Sequence, residues 1–281
     1  MRKNAVVRKS DAKKWKTIAA LAVLAVSVAA LWWLFLQIRA AFIAQCEIKD
    51  VERQVKVVTR GRLVKEGVVL EMFGIRKGRN LALIDFAAKR KAVLAKYPAI
   101  RDVVITRHLP DRVEIVLEER VAAVRMGEID ARRVSKGATG RVADADGVVF
   151  MQYSLAGPLP AIYEKSAEKT KSGRRLPPRA MAALRLLTLA RESPYSDLGI
   201  QRVDVDRRDC LYAVLGDYSG AKIAWEGMDD GGEKADKAMA KQLKRLRDSF
   251  MSGVVPSLPR PVVWNATEPD RVFADTKEPI L

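Results

Sequence analysis

Residues Ile18 to Ile38, IAALAVLAVSVAALWWLFLQI, run for 21 positions without a charge. Coiled as an α-helix, such a run is about 30 Å long, the thickness of a bilayer's hydrocarbon layer. Its backbone polar groups can be satisfied in lipid only by helix, so one transmembrane helix is predicted. Trp15, Trp32 and Trp33 lie near its ends, where indole rings favour the interface. A buried core helix would normally carry a polar face, and a cleaved signal peptide a shorter apolar region.

Charge assigns the two sides. The chain has 281 residues and a net charge of +17, and its first seventeen residues hold Arg2, Lys3, Arg8, Lys9, Lys13, Lys14 and Lys16 against Asp11. Positive flanks stay cytoplasmic, so residues 1–17 read as a basic cytoplasmic tail and the bulk of the chain lies outside the cytoplasm. Cys46 and Cys210 then sit in a potentially oxidising space, but two free thiols are the plainer expectation than a bridge from the juxtamembrane segment to a distant strand.

Past the juxtamembrane residues 39–53 the pattern becomes strand, helix, helix, hairpin. Gln54 to Thr59 alternates as a strand, and Lys65 to Phe73 brings Val68, Val69, Met72 and Phe73 to one helical side. Gly74 to Gly78 interrupts. Asp85 is placed to cap a second helix, whose stripe of Phe86, Arg90, Val93 and Tyr97 ends at Pro98. In IRDVVITRHLPDRVEIVLEER, residues 100–120, a β-branched run and an alternating run flank a turn at His108-Leu109-Pro110-Asp111. A lone hairpin is marginal, so the preceding strand and helices must cover it in a β-α-α-β-β domain over 54–120.

In order and spacing, Gly78, Asn80, Leu81, Ile84-Asp85, Pro98, Ile100, Arg107, Leu109-Pro110, Ile115, Glu119-Arg120 and Ala123 resemble the POTRA domain of the bacterial FtsQ/DivIB cell-division family. The resemblance covers nearly the whole chain, strongly from about 54 to 125. It implies a bitopic protein with a short cytoplasmic tail, one membrane helix, the POTRA domain and a second β-rich domain.

The rest of the sequence fits that plan, with a β domain expected over 121–274 and a tail over 275–281. Arg141 to Phe150 reads as two strands around an Asp146-Gly147 turn, and Ala161 to Arg179, rich in Lys, Ser, Glu and Arg, as a mobile loop. Pro178 opens a helix carrying Met181, Leu184, Leu187 and Ala190, and Lys234 to Met251 lines up Ala235, Ala238, Met239, Leu243, Leu246 and Phe250. Ile200 to Asp206, Leu211 to Leu215, Ala221 to Trp225, Pro261 to Asn265 and Arg271 to Ala274 are strand candidates. The fold class is α+β: a transmembrane helix, a POTRA domain, and an antiparallel β domain with two flanking helices.

In the resembled family the C-terminal edge of the β domain holds the coiled-coil bitopic proteins FtsB and FtsL. By position that edge is Val262, Val263, Trp264, Asn265, Arg271, Val272 and Phe273, and a sheet edge can accept a partner's strand through main-chain hydrogen bonds. The usual Asp-x-Arg-Tyr-like pattern is replaced by Trp264-Asn265-Ala266-Thr267. The resemblance implies a non-enzymatic scaffold linking early and late division proteins and regulating septal peptidoglycan synthesis, in the inner membrane and at midcell.

The residues themselves offer little chemistry. His108 is the single histidine, and no HExxH, GxxxxGK[ST] or zinc-type Cys/His spacing occurs. The DADG turn lacks the acids of a calcium loop at Val142 and Tyr153. Neither cofactor, metal, nucleic acid nor small-molecule substrate is expected; membrane lipid is. The alternative, a POTRA-bearing component of an outer-membrane assembly or secretion system, would need a C-terminal membrane barrel, for which 6 % aromatic content is too little.

Overall fold

The computed structural model describes residues 4–108, 110–127, 140–152, 159–164, 170–191, 194–205, 207, 209–224, 232–252 and 262–275. Its contacts divide the chain into two compact units, residues 1–92 with 103–117 and residues 93–102 with 118–281.

The first unit begins with one long helix, α1 (Asn4–Gln45). The expected span 18–38 lies inside it, and its apolar part, Ile18–Gln45, is long enough to cross a membrane. The helix continues into the tail on one side and the juxtamembrane segment on the other, where Arg39-Ala-Ala-Phe-Ile-Ala-Gln contains neither glycine nor proline to stop it. Asp50 then caps a single turn, α2 (Val51–Gln54), so Gln54 is helical and the first strand, β1, is Val55–Arg60.

The β-α-α-β-β order follows. Helix α3 is Glu66–Phe73, and α4, Phe86–Lys96, is capped by Asp85, whose Oδ1 accepts the Ala88 N–H at 2.9 Å. Val69 and Phe73 are the buried part of the expected α3 stripe, whereas Val68 is exposed. Strands β2 (Ile100–His108) and β3 (Arg112–Glu119) complete a three-stranded sheet in the order β1-β3-β2. Strand β3 buries Val113, Ile115 and Leu117 while Glu114, Val116 and Glu118 stay half-buried, the period of two that its sequence carries. Phe73 and Phe86 meet at 6.3 Å between ring centroids.

The second unit contains a nine-stranded sheet. In chain order its strands are β4 (Val124–Met126), β5 (Gly140–Ala143), β6 (Val149–Gln152) and β7 (Ala161–Tyr163), then β8 (Arg202–Asp204), β9 (Cys210–Val214), β10 (Gly220–Ala224), β11 (Val263–Asn265) and β12 (Phe273–Asp275). Across the sheet they run β12-β11-β10-β9-β8-β7-β4-β5-β6. An antiparallel domain was the expectation; the joins β4–β7, β7–β8 and β10–β11 are parallel. Two of these follow from the helices, since α5 (Pro178–Arg191) carries the chain from β7 over to β8 and α6 (Glu233–Met251) carries it from β10 to β11.

Strand β7 corrects a second expectation. The sequence pattern places Ala161–Tyr163 in the loop 161–179, yet Ala161 and Ile162 are fully buried. Three residues are too short to show alternation against the charged stretch that follows. Residues 170–177, also expected in that loop, lie along β6, with Val149 N–H donating to Arg174 O at 2.9 Å and Gly173 N–H to Val149 O at 2.7 Å. Leu184, Leu187, Met239, Leu243 and Leu246 of the two helices share one core with Val203, Leu211, Ala213 and Ile223 of the sheet. Ala238, expected in the α6 stripe, is exposed; buried Gln242 completes that face, its Oε1 accepting the Ala224 N–H at 2.8 Å.

The hairpin's foot belongs to this unit. Arg120 donates from its backbone to Ala99 O, from Nε to Pro98 O at 3.1 Å, and from Nη1 to Asp144 Oδ2 at 2.5 Å. Asp144 in turn accepts the Val148 N–H through Oδ1, fixing the β5–β6 turn. Gly147 holds φ 76° in that turn, and a Cβ there would stand 2.1 Å from Met181 Sδ.

Candidate functional site

The seven residues assigned to a C-terminal edge separate into two groups. Val262, Val263 and Trp264 are buried and Asn265 half-buried, because β11 is flanked by β10 on one side and β12 on the other. They close the sheet rather than edge it. Trp264 packs edge-on against Phe250 of α6, with centroids 6.3 Å apart. Asn265 folds its side chain onto its own loop, Oδ1 accepting Thr267 N–H at 3.1 Å and Thr267 Oγ1 at 2.7 Å.

The edge itself is β12, with Arg271 and Val272 leading into it. Val272 and Ala274 pack toward the core, while Phe273 is 47 % exposed. Pairing fixes which backbone groups point outward. Gly220 N–H donates to Val262 O and Ala266 N–H to Lys222 O, so even-numbered residues of β11 bond to β10 and odd-numbered ones to β12. Val263↔Asp275 and Asn265↔Phe273 are therefore the hydrogen-bonded pairs, and Ala274, opposite Trp264, turns its N–H and C=O away from the sheet. At the sheet's other end, β6 has residues 173 and 174 bonded along Val149.

One row of side chains leads across the sheet to this edge: Tyr163, Asp204, Tyr212, Lys222, Asn265 and Phe273 stand opposite one another on successive strands. Beside it opens a groove of ≈ 570 Å³ lined by Arg207, Asp209, Cys210, Lys222, Asn265 and Thr267. The Arg207 guanidinium lies 4.2 Å from the centroid of the Tyr212 ring. The sequence reading missed this groove. Its signal was the alternation of β9, where Leu211 and Ala213 enter the core and Cys210 and Tyr212 face the opposite side.

A second accessible surface belongs to the first unit. Strand β2 ends the three-stranded sheet, and between it and α4 lies a groove of ≈ 590 Å³ lined by Phe86, Ala87, Arg90, Val103, Val104, Ile105 and Arg107. Val104 is 53 % exposed there.

The residues that carried the family resemblance have structural work to do. Gly78 adopts φ 79° and donates to Ile48 O at 2.8 Å. Asn80 accepts the Ala82 N–H and donates from Nδ2 to Ile43 O, and Leu81 is buried with its N–H on Cys46 O. Asp85 caps α4. Arg107 donates to Ile84 O at 2.6 Å and lies 4.7 Å from the Phe86 ring centroid. Pro98 supplies the carbonyl for Arg120, Pro110 is half-buried in the hairpin turn, and Glu119 is buried.

On the sheet's outer side His108 Nε2 is 4.0 Å from Glu114 Oε2, and Lys56 Nζ is 2.8 Å from Glu114 Oε1. The hydrogen bond from Lys56, and then its charge, hold the Glu114 carboxyl below the usual glutamate range, with a smaller contribution from His108 and a partial opposition from desolvation. Cys46 and Cys210 are both buried free thiols.

Residues 53–120 match the family model for the POTRA domain, FtsQ-type. No curated protein matches the chain closely enough to count as a relative.

Proposed function

We propose, from the match of residues 53–120 to the FtsQ-type POTRA model, that this chain belongs to the FtsQ/DivIB cell-division family and is a membrane-anchored, non-enzymatic scaffold of the bacterial division machinery. Helix α1 holds it in the cytoplasmic membrane with residues 1–17 inside and the rest of the chain outside, and the protein gathers at midcell during division. The POTRA domain recruits it, with edge strand β2 and its adjacent groove as the accessible surface. The β domain holds coiled-coil single-pass partners of the FtsB and FtsL kind, and through them links early and late division proteins and helps regulate septal peptidoglycan synthesis.

The observation that carries the second half of this reading is that β12 is the outermost strand of the sheet among the described residues. An added strand bonds to main-chain groups and needs no particular side-chain signature, so the reading tolerates the divergent Trp264-Asn265-Ala266-Thr267 segment. Phe273 and the Arg207–Lys222 groove then supply side-chain contacts beside the added strand.

A fluorescent fusion expressed in dividing cells, together with affinity recovery of the full chain from detergent-solubilised membranes, tests the reading. Midcell bands and co-recovery of single-pass coiled-coil proteins are the expected results. A fusion spread evenly around the envelope of dividing cells would count against the division role, and recovery without membrane partners against the scaffold role.

A further inference from the structure

Helix α1 does not end in a free linker. Cys46 N–H closes back on Ile43 O, Leu81 N–H donates to Cys46 O, Ile48 N–H to Arg79 O, and Gly78 N–H to Ile48 O. Glu47 pairs antiparallel with Asn80, and Asn80 Nδ2 reaches Ile43 O on the last turn of the helix. Residues 78–81 therefore run antiparallel to 46–48, back toward the end of α1, and the 3₁₀ turn Leu81–Leu83 follows directly. Leu83, at the tip of this single 3₁₀ turn, is 74 % exposed although its neighbours Leu81 and Ile84 are buried.

The apolar part of α1 has 28 residues, which is about 42 Å at the helical rise. A bilayer measures about 30 Å across its hydrocarbon and about 40–45 Å with its headgroups. With Ile18 at the inner boundary, Arg39 falls at the outer edge of the hydrocarbon, where a long cation can reach up to phosphate, and Ile43 falls among the headgroups. The turn from Arg76 to Arg79 is bonded to Ile48, just past the end of α1, and exposes Arg76, Lys77 and Arg79, long cations whose attraction to a charged layer persists over a Debye length of about 8–10 Å. The one acid in the paired segment is Glu47.

We infer that residues 76–83 form a lipid-binding foot of the POTRA domain, in which Leu83 enters the headgroup boundary and Arg76, Lys77 and Arg79 bind phosphates of anionic lipids in the leaflet where α1 emerges. The inference rests on α1 crossing a bilayer. Its consequence is that lipid composition, and not the helix alone, sets how firmly the domain is held at the surface.

The test uses the full chain in nanodiscs of phosphatidylcholine, with or without phosphatidylglycerol. An environment-sensitive fluorophore on Leu83→Cys, the native Cys46 and Cys210 being buried, reports insertion through quenching by headgroup-proximal doxyl lipid and shielding from aqueous iodide. Amide exchange over 76–84 in the unlabelled chain is the second readout. Phosphatidylglycerol should raise doxyl quenching, lower iodide quenching and slow exchange. Each cation neutralised in R76Q, K77Q and R79Q should weaken the docked state about fivefold, from about 1 kcal/mol per cation at an anionic surface. A Leu83 position open to iodide in both lipids, with exchange that ignores phosphatidylglycerol, overturns the proposal while α1 stays inserted. Failure of the chain to enter discs at all overturns the membrane reading beneath it.

Discussion

Proline at position 274 separates folding from docking at the β12 edge. Ala274 sits opposite Trp264 in the non-hydrogen-bonded register, so its N–H donates to nothing within the β11–β12 ladder and a proline there removes no internal bond. The fold should lose less than about 1 kcal/mol, in keeping with the tolerance of edge strands for proline. A strand added outside β12 would lose the Ala274 donor, worth about 0.5–1.5 kcal/mol, and meet the pyrrolidine ring where its own carbonyl should approach. Binding of the strand-adding partner should weaken at least about tenfold, the equivalent of about 1.4 kcal/mol. Proline at Phe273 or Asp275 behaves differently, because those residues bond to Asn265 and Val263 and the substitution strips the sheet itself. Quantitative co-purification from detergent-solubilised membranes, set beside urea unfolding of the same variants, reads both effects. Full recovery of partners by a correctly folded Ala274→Pro chain refutes strand addition at this edge.

Other substitutions probe the fold. Arg120→Met leaves Asp144, 7 % exposed at its side chain, without its cation and also removes the donor to Pro98 O; a loss of about 3–5 kcal/mol is expected in denaturant unfolding, and a loss below about 1 kcal/mol would show the pair to be weakly coupled. Gly147→Ala should cost about 1–3 kcal/mol, since φ is 76° and Met181 Sδ must move aside; a neutral result in the same assay would contradict it. Lys56→Met returns the Glu114 carboxyl toward its ordinary range of about 4.3. Because the folded-state value is lowered in the native chain, its contribution is present above that range and fades as pH falls through the lowered value, so the two unfolding curves should differ at neutral pH and converge in acid. Cys46 and Cys210 should resist a thiol reagent in the native chain and react together on denaturation; rapid reaction of either in native protein would contradict its burial.

How far the sequence reached follows from what kind of force holds each part. The long apolar helix needed only composition, and the hairpin only a period of two, as Val113, Ile115 and Leu117 bear out. Asp85 declared α4 because a cap is a local bond. Strands β4 and β7 were out of reach, since three residues carry no period and their burial comes from partners distant in sequence, Ala143 for Val124 and Arg202 for Ala161. The same limit acted at the proposed edge. Val262 to Asn265 and Arg271 to Phe273 both read as terminal strands, and only pairing tells that the first is interior and the second outermost. The residues that carry the POTRA resemblance, from Gly78 to Arg120, are the ones whose side chains or φ angles the fold consumes, tying 78–81 to the helix end and Arg120 to Asp144. A docking edge made of main-chain groups asks for no such side chains. That asymmetry would let a chain keep a recognisable POTRA signature while its C-terminal edge carries different side chains, and it makes Ala274, a residue with no chemistry of its own, the position at which the proposed edge is most directly tested.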